Sequence, residues 1–216
     1  MDLATFAAGY SSPPSELLKE LERATWQRTR HGRLMTDPHT GRVLAMIARM
    51  VAPNTALELG TFTGYGTLCL LEGHLPMGAL HTVEHNDEWF ELQDKFWQRA
   101  ENHSCIQRHH TDSMEFLAGW NTELQGSIDL AYVDADKQRV NEQLDALLPL
   151  LSPNGHIVFD NTWWGGTLYA SENEGKASGA KPDALRLLNE RLTHDAELST
   201  VVLPIGDGLS VVRKAG

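Results

Sequence analysis

The stretch TALELGTFTGYG, from Thr55 to Gly66, leads from a short apolar run into a loop with glycines at 60, 64 and 66. Glycines at such positions let the backbone turn tightly and let a ligand approach it closely. The stretch predicts a buried strand, a tight loop and a following helix. Working outward, four more β-rich runs recur: ALHTVEH (79–85), CIQRHH (105–110), IDLAYVD (128–134) and HIVFDN (156–161). Segments between them, such as 87–100 and 137–151, have helical period. Strands alternating with helices predict a parallel sheet covered by helices on both faces. Two amphipathic helices, 15–30 and 41–51, come first. The end differs, because LSTVVLPIGDGLSVVRK (198–214) reads as two antiparallel strands around a turn at Gly206, Asp207 and Gly208. The stretch YASENEGKASGAKPD (169–183), rich in Gly, Ser and Ala, is expected to be a mobile surface loop.

Composition bounds the partners. With 216 residues, 41% of them hydrophobic, and no repeat or linker, one domain over 1–216 is expected, with 1–34 as a helical extension. The net charge of -11 disfavours a sequence-independent grip on nucleic acid, which needs clustered Lys and Arg. No apolar run approaches the roughly eighteen residues of a spanning helix, so no membrane partner is expected. MDLATFAAGY carries an acid where a secretory signal carries basic residues, so a cytoplasmic location is the expectation. Cys69 and Cys105 form neither a disulfide framework nor a zinc pattern and read as buried thiols.

In an open parallel sheet, ligands bind at the carboxyl ends of the strands. Those addresses hold Glu58, Glu84, Asp134, and Asp160 with Asn161. One acid there is an ordinary helix cap, whereas four together favour a binding site. The glycine spacing, G-x-x-x-G-x-G, is a weak signal by itself. Glu58 sharpens it, because an acid inside the motif repels a pyrophosphate and attracts a cationic ligand. Glu84 is placed to accept hydrogen bonds from ribose hydroxyls. A ligand with a ribose, a positive centre and no phosphate fits better than NAD, and S-adenosylmethionine is such a ligand. An NAD(P)-dependent oxidoreductase of the short-chain type needs Tyr-x-x-x-Lys, and none of Tyr10, Tyr65, Tyr132 or Tyr169 has that lysine. A non-catalytic binder of the methyl donor is a second alternative.

ALELGTFTGYGTLCL, YVDADKQ, FDNTWWGG and LPIGDGLSVVRK, in this order and spacing, resemble the cation-dependent O-methyltransferases, the family of caffeoyl-CoA and catechol O-methyltransferases. The resemblance runs from about Met35 to the carboxyl terminus. It implies an α/β, Rossmann-like doubly wound sheet of seven strands with the last antiparallel. It implies magnesium or a similar cation on Asp134, Asp160 and Asn161, and Lys137 as the general base beside Asp134. The methyl-donor site carries over as Thr36, Glu58, Gly60, Thr61, Gly66, Glu84, Ser113 and Asp136, with Asp136 toward the methionine end. The implied acceptor is a catechol-type small aromatic molecule, and the implied assembly is a homodimer. Leu17, Leu18, Leu21 and Trp26 of the first helix are expected to supply either the dimer contact or cover for their own sheet. Asp112 is an adenine contact or an N-cap. Trp163 and Trp164 are candidates to wall the acceptor ring. His109 and His110, neighbours in a strand, point to opposite faces and do not share an ion.

Two departures stand out. The family often has serine where Gly66 stands, and MTDPHTG (35–41) is one residue shorter than the usual form.

Overall fold

The computed structural model describes residues 3–73, 78–120, 125–170 and 176–215. Its centre is a seven-stranded sheet in the order β3-β2-β1-β4-β5-β7-β6. The strands are β1 (Thr55–Leu59), β2 (Ala79–Glu84), β3 (Ile106–His110), β4 (Ile128–Val133), β5 (Leu151–Asp160), β6 (Leu198–Leu203) and β7 (Leu209–Lys214). The first five pair in parallel, and β7 runs antiparallel between β5 and β6. The predicted fold class, with its antiparallel last strand, is the one observed. After β3 the chain returns to lay β4 beside β1, so the winding reverses between those two strands and opens a crevice at their carboxyl ends.

Strand residues alternate between two cores with period two. Ala56, Leu80, Leu130, Tyr132 and Val158 pack against α2 (Glu16–Arg28), α3 (Pro38–Val51), α4 (Tyr65–Gly73) and α5 (Phe90–Trp97). Leu57, Leu59, Ala131, Val133, Ile157 and Phe159 pack against α6 (Ser113–Ala118), α7 (Val140–Leu147) and α8 (Ala180–His194). Burial on both faces is why these strands read as near-continuous apolar runs. None of the described helices is long and apolar enough to cross a membrane.

One expectation resolves to one of its two alternatives, cover for the chain's own sheet, and two need correction. Leu18 and Leu21 are fully buried in the core of their own chain, and Thr25 of the same helix is hydrogen-bonded to Thr63 at 3.0 Å. They cannot serve a dimer contact; of the four named residues, Trp26 is exposed and Leu17 only partly buried. β5 begins at Leu151, five residues before HIVFDN, because Pro153, Asn154 and Gly155 are carried in the strand where its register with β4 shifts. The end of the stretch 169–183 is helical from Ala180, while residues 171–175 lie outside those described. A short helix α1 (Leu3–Gly9) precedes the rest.

Candidate functional site

A cavity of about 1250 Å³ opens at the carboxyl ends of the parallel strands. Of the residues singled out for the site, Thr36, Gly60, Thr61, Gly66, Glu84, Ser113, Asp134, Asp136, Lys137, Asp160 and Asn161 all line it, and Glu58 does not. The cavity has two walls, one built on β1 and β2, the other on β4 and β5.

The first wall is the glycine loop and what braces it. Gly60 has φ +89°, and a Cβ there would lie 2.4 Å from the carbonyl oxygen of Asp134. The two strand ends at the switch point approach that closely only because residue 60 is glycine. Glu84 reaches across from β2 to the loop. Its Oε2 accepts from the backbone N–H groups of Thr61 (3.2 Å) and Phe62 (2.9 Å), and its Oε1 from that of Asn86 (2.9 Å). These contacts hold Phe62 in a left-handed conformation, φ +48°. At the far end of this wall Asp112 lines the cavity and caps α6, accepting from Met114 N and Glu115 N, and pairs with Arg139 at 3.3 Å, so the expected cap is present. Ser113, next in sequence, accepts from Gln143 Nε2 at 3.3 Å.

Glu58 requires a correction. Its parity in β1 matches Ala56, so the side chain points under α4, where 1% of the residue is exposed. There Oε2 accepts from Thr67 Oγ1 (2.5 Å) and Thr82 Oγ1 (2.6 Å), and Thr82 is in turn 2.5 Å from Thr61 Oγ1. Burial, only partly offset by the two threonine hydrogen bonds, pushes the Glu58 carboxyl up to about 8. Glu58 braces the wall from behind. A Cβ on Gly66 would lie 2.5 Å from Glu58 Oε1, so the glycine in place of serine gives the buried carboxyl its room.

The second wall is built from charges. Lys137 Nζ donates to Asp134 Oδ1 at 2.7 Å, and the side chains are only 9% and 18% exposed. Burial raises Asp134, Lys137 pulls it down and Asp160 raises it further, leaving it at about 6. Asp160 is held on both oxygens: Asn161 N donates to Oδ1 at 2.7 Å, and Tyr132 donates to Oδ2 at 2.6 Å. Burial, together with the charges of Asp160 and Asp134, keeps the Tyr132 phenol protonated. Asn161 itself is left-handed, φ +63°, and strain of this kind collects at functional sites. Asp207, from the β6–β7 turn, also lines the cavity; burial and then Asp160 and Asp37 raise it. Asp136 caps the short 3₁₀ turn that carries Lys137, accepting from Gln138 N at 3.0 Å, and is exposed at the mouth.

Of the two tryptophans, Trp164 lines the cavity, while Trp163 donates to the carbonyl of Gly206 at 3.1 Å and braces the turn carrying Asp207. Among the described residues no group of three His, Cys, Asp or Glu is arranged to hold a metal; Asp134, Asp160 and Asn161 are two carboxylates and an amide. His109 stacks on His81 with 3.0 Å between ring nitrogens, whereas His110 turns to the carbonyl of His85, as their opposite orientations require. Sequence reading missed Tyr132, which hides as an apolar residue inside IDLAYV, and Asp207, which reads as a turn residue.

A doubly wound sheet with this strand order, and a glycine loop and an acidic β2 end lining one cavity with an Asp-Lys pair, defines the class of S-adenosylmethionine-dependent methyltransferases. The chain belongs to the O-methyltransferase family, whose model matches residues 8–215. It is 32% identical over 209 residues to a caffeoyl-CoA O-methyltransferase of Stellaria longipes, covering 93% of this chain and 84% of that one. It is 31% identical over 201 residues to catechol O-methyltransferase domain-containing protein 1 of Mus musculus, covering 91% and 74%. Its fold matches the O-methyltransferase TomG of Streptomyces achromogenes, solved with S-adenosylmethionine, with a TM-score of 0.85 at 21% identity over 99% of this chain and 96% of that one. The protein is thus an S-adenosylmethionine-dependent O-methyltransferase, which sets aside the oxidoreductase and non-catalytic alternatives.

Proposed function

We propose that this enzyme methylates one hydroxyl of a vicinal dihydroxy aromatic acceptor, with magnesium or a similar divalent cation held by Asp134, Asp160 and Asn161. The observation that carries this reading is the charge imbalance of the second wall. Asp134 and Asp160, with Asp207 acting on both sides of the pair, face Lys137, the one buried lysine among the described residues. The three ligand side chains all offer oxygen, the donor type that suits magnesium, and a set this small leaves positions for water and acceptor oxygens. A cation bound there would lower the pKa of a coordinated hydroxyl and favour the neutral amine of Lys137.

The chain's own groups supply the rest. Lys137, fixed by its 2.7 Å contact with Asp134 and facing the cavity, is the base for the departing hydroxyl proton once its amine is free. Trp164 offers the ring of the acceptor an aromatic face. On the first wall, Gly60, Thr61 and Gly66 let the donor approach the backbone, and Glu84 Oε1, which accepts one backbone N–H where Oε2 accepts two, keeps a lone pair for a ribose hydroxyl. Thr36, Ser113 and Asp136 complete the donor set, with the Asp136 carboxylate toward the charged methionine end. Glu58 acts through Thr82 and Thr61 rather than by touching the donor. Bringing both substrates into one cavity at near-attack distance removes much of the entropic cost of an in-line methyl transfer.

The acceptor class is tested by methyl transfer to catechol, caffeic acid and its coenzyme A ester against a matched monophenol, followed by mass spectrometry. The vicinal diols should be turned over at least tenfold faster. Equal turnover of the monophenol would remove the two-oxygen mode of acceptor binding.

A further inference from the structure

Tyr132 sits at the seam between the two walls. It is fully buried, on the face of β4 that packs against α2 to α5. Its hydroxyl lies 2.6 Å from Asp160 Oδ2 and 3.2 Å from Thr36 Oγ1. A phenol has one proton to give, and the carboxylate takes it, so the Thr36 hydroxyl must donate to the phenolic oxygen. The result is a directional chain from Thr36 through Tyr132 to Asp160. Thr36 lines the cavity on the donor side and Asp160 on the side of the proposed metal ligands. The tyrosine ring lies close to Gly66, where a Cβ would be 3.2 Å from its Cε1 and 3.1 Å from Thr36 Oγ1.

Both oxygens of Asp160 are gripped from behind, Oδ2 by Tyr132 and Oδ1 by the backbone N–H of Asn161, which leaves one further lone pair on each for the cavity. Partners of this kind fix the rotamer of a metal-binding carboxylate and tune its strength as a ligand. Hydrogen bonds in a chain also polarise one another, so a change at Thr36 is felt at Asp160.

We propose that Tyr132 is a positioning residue that presents Asp160 to the divalent cation and couples occupancy of the donor wall, through Thr36, to the affinity of the second wall for that cation. The proposal rests on the reading of Asp160 as a metal ligand. The test is isothermal titration of Mn²⁺ into the wild-type protein and Tyr132→Phe, each with and without S-adenosylhomocysteine, and with Val212→Ala as a control for general destabilisation of the core.

In Tyr132→Phe, with an unchanged far-UV spectrum, the Mn²⁺ Kd should rise about tenfold. The factor by which S-adenosylhomocysteine changes that Kd should move toward one. Val212→Ala should lower Tm and leave both quantities alone. The proposal is overturned if Tyr132→Phe keeps the wild-type Kd within twofold and the same coupling factor, or if Val212→Ala shifts both equally. Failure of the wild-type protein to bind Mn²⁺ would overturn the assignment of Asp160 as a ligand, a result distinct from a wild-type site that binds normally and ignores Tyr132.

Discussion

The two walls of the cavity carry similar numbers of acids and treat them in opposite ways. On the first wall the two carboxylates that brace the glycine loop are held by neutral donors: Glu84 by three backbone N–H groups, Glu58 by two threonine hydroxyls. On the second wall Asp134 and Asp207 are each raised by burial and by Asp160, against the pull of Lys137. The first wall is a finished cradle whose geometry is set before any ligand arrives. The second is electrostatically incomplete, an arrangement that a cation stabilises and that an additional anion would destabilise. The separation implies that donor binding and proton chemistry can be broken independently.

The largest effect should come from the second wall. Lys137→Ala is expected to lower methyl transfer by about 10²- to 10⁴-fold, the usual worth of a positioned acid or base. The S-adenosylhomocysteine Kd, measured by calorimetry, should stay within twofold; a parallel loss of donor affinity would merge the two walls. Next is Glu84→Gln, which turns an amide N–H toward backbone N–H groups that now have an acceptor. Leaving such donors unpaired costs about 1–3 kcal/mol, so the donor Kd should rise about 10- to 100-fold.

Glu58 gives a pH test of the brace behind the first wall. Its folded value of about 8 lies above the ordinary 4.5, so the folded protein binds the extra proton. The stabilisation is therefore complete below about pH 4.5 and is lost as pH rises through about 8. Glu58→Gln, which cannot ionise, should flatten the fall of Tm over that window; an unchanged Tm-pH curve would show that Glu58 is ionised when folded. The smallest effect is expected at His109, which stacks on His81 and is not among the cavity residues. His109→Ala should change magnesium-supported turnover by less than twofold, and a large loss would bring a third region into the site.

What the sequence revealed follows the physics of each region. TALEL is bounded by turn-forming residues and buried on both faces, so its limits match β1. β5 extends beyond HIVFDN because the strand continues through Pro153, Asn154 and Gly155, residues poor in strand propensity. The strand-end acids pointed to the cavity as a group, yet the alternation that pairs Glu58 with Ala56, and not with Leu57 and Leu59, turns this one away from it. That parity was present in the sequence. Tyr132 left no trace, because an aromatic residue in an apolar run signals core and its hydroxyl partners come from residues 96 and 28 positions away. Asp207 reaches the site only because β7 inserts beside β5, a pairing that no local pattern encodes.

The most direct test of the incomplete wall is methyl transfer to a catechol by protein stripped with excess EDTA, assayed before and after magnesium is restored. The expected result is that EDTA abolishes turnover, that magnesium returns it, and that S-adenosylhomocysteine still binds the stripped protein, its affinity changed only by the factor that couples the two walls. Turnover indifferent to EDTA would contradict it and remove the metal roles of Asp134, Asp160 and Asn161.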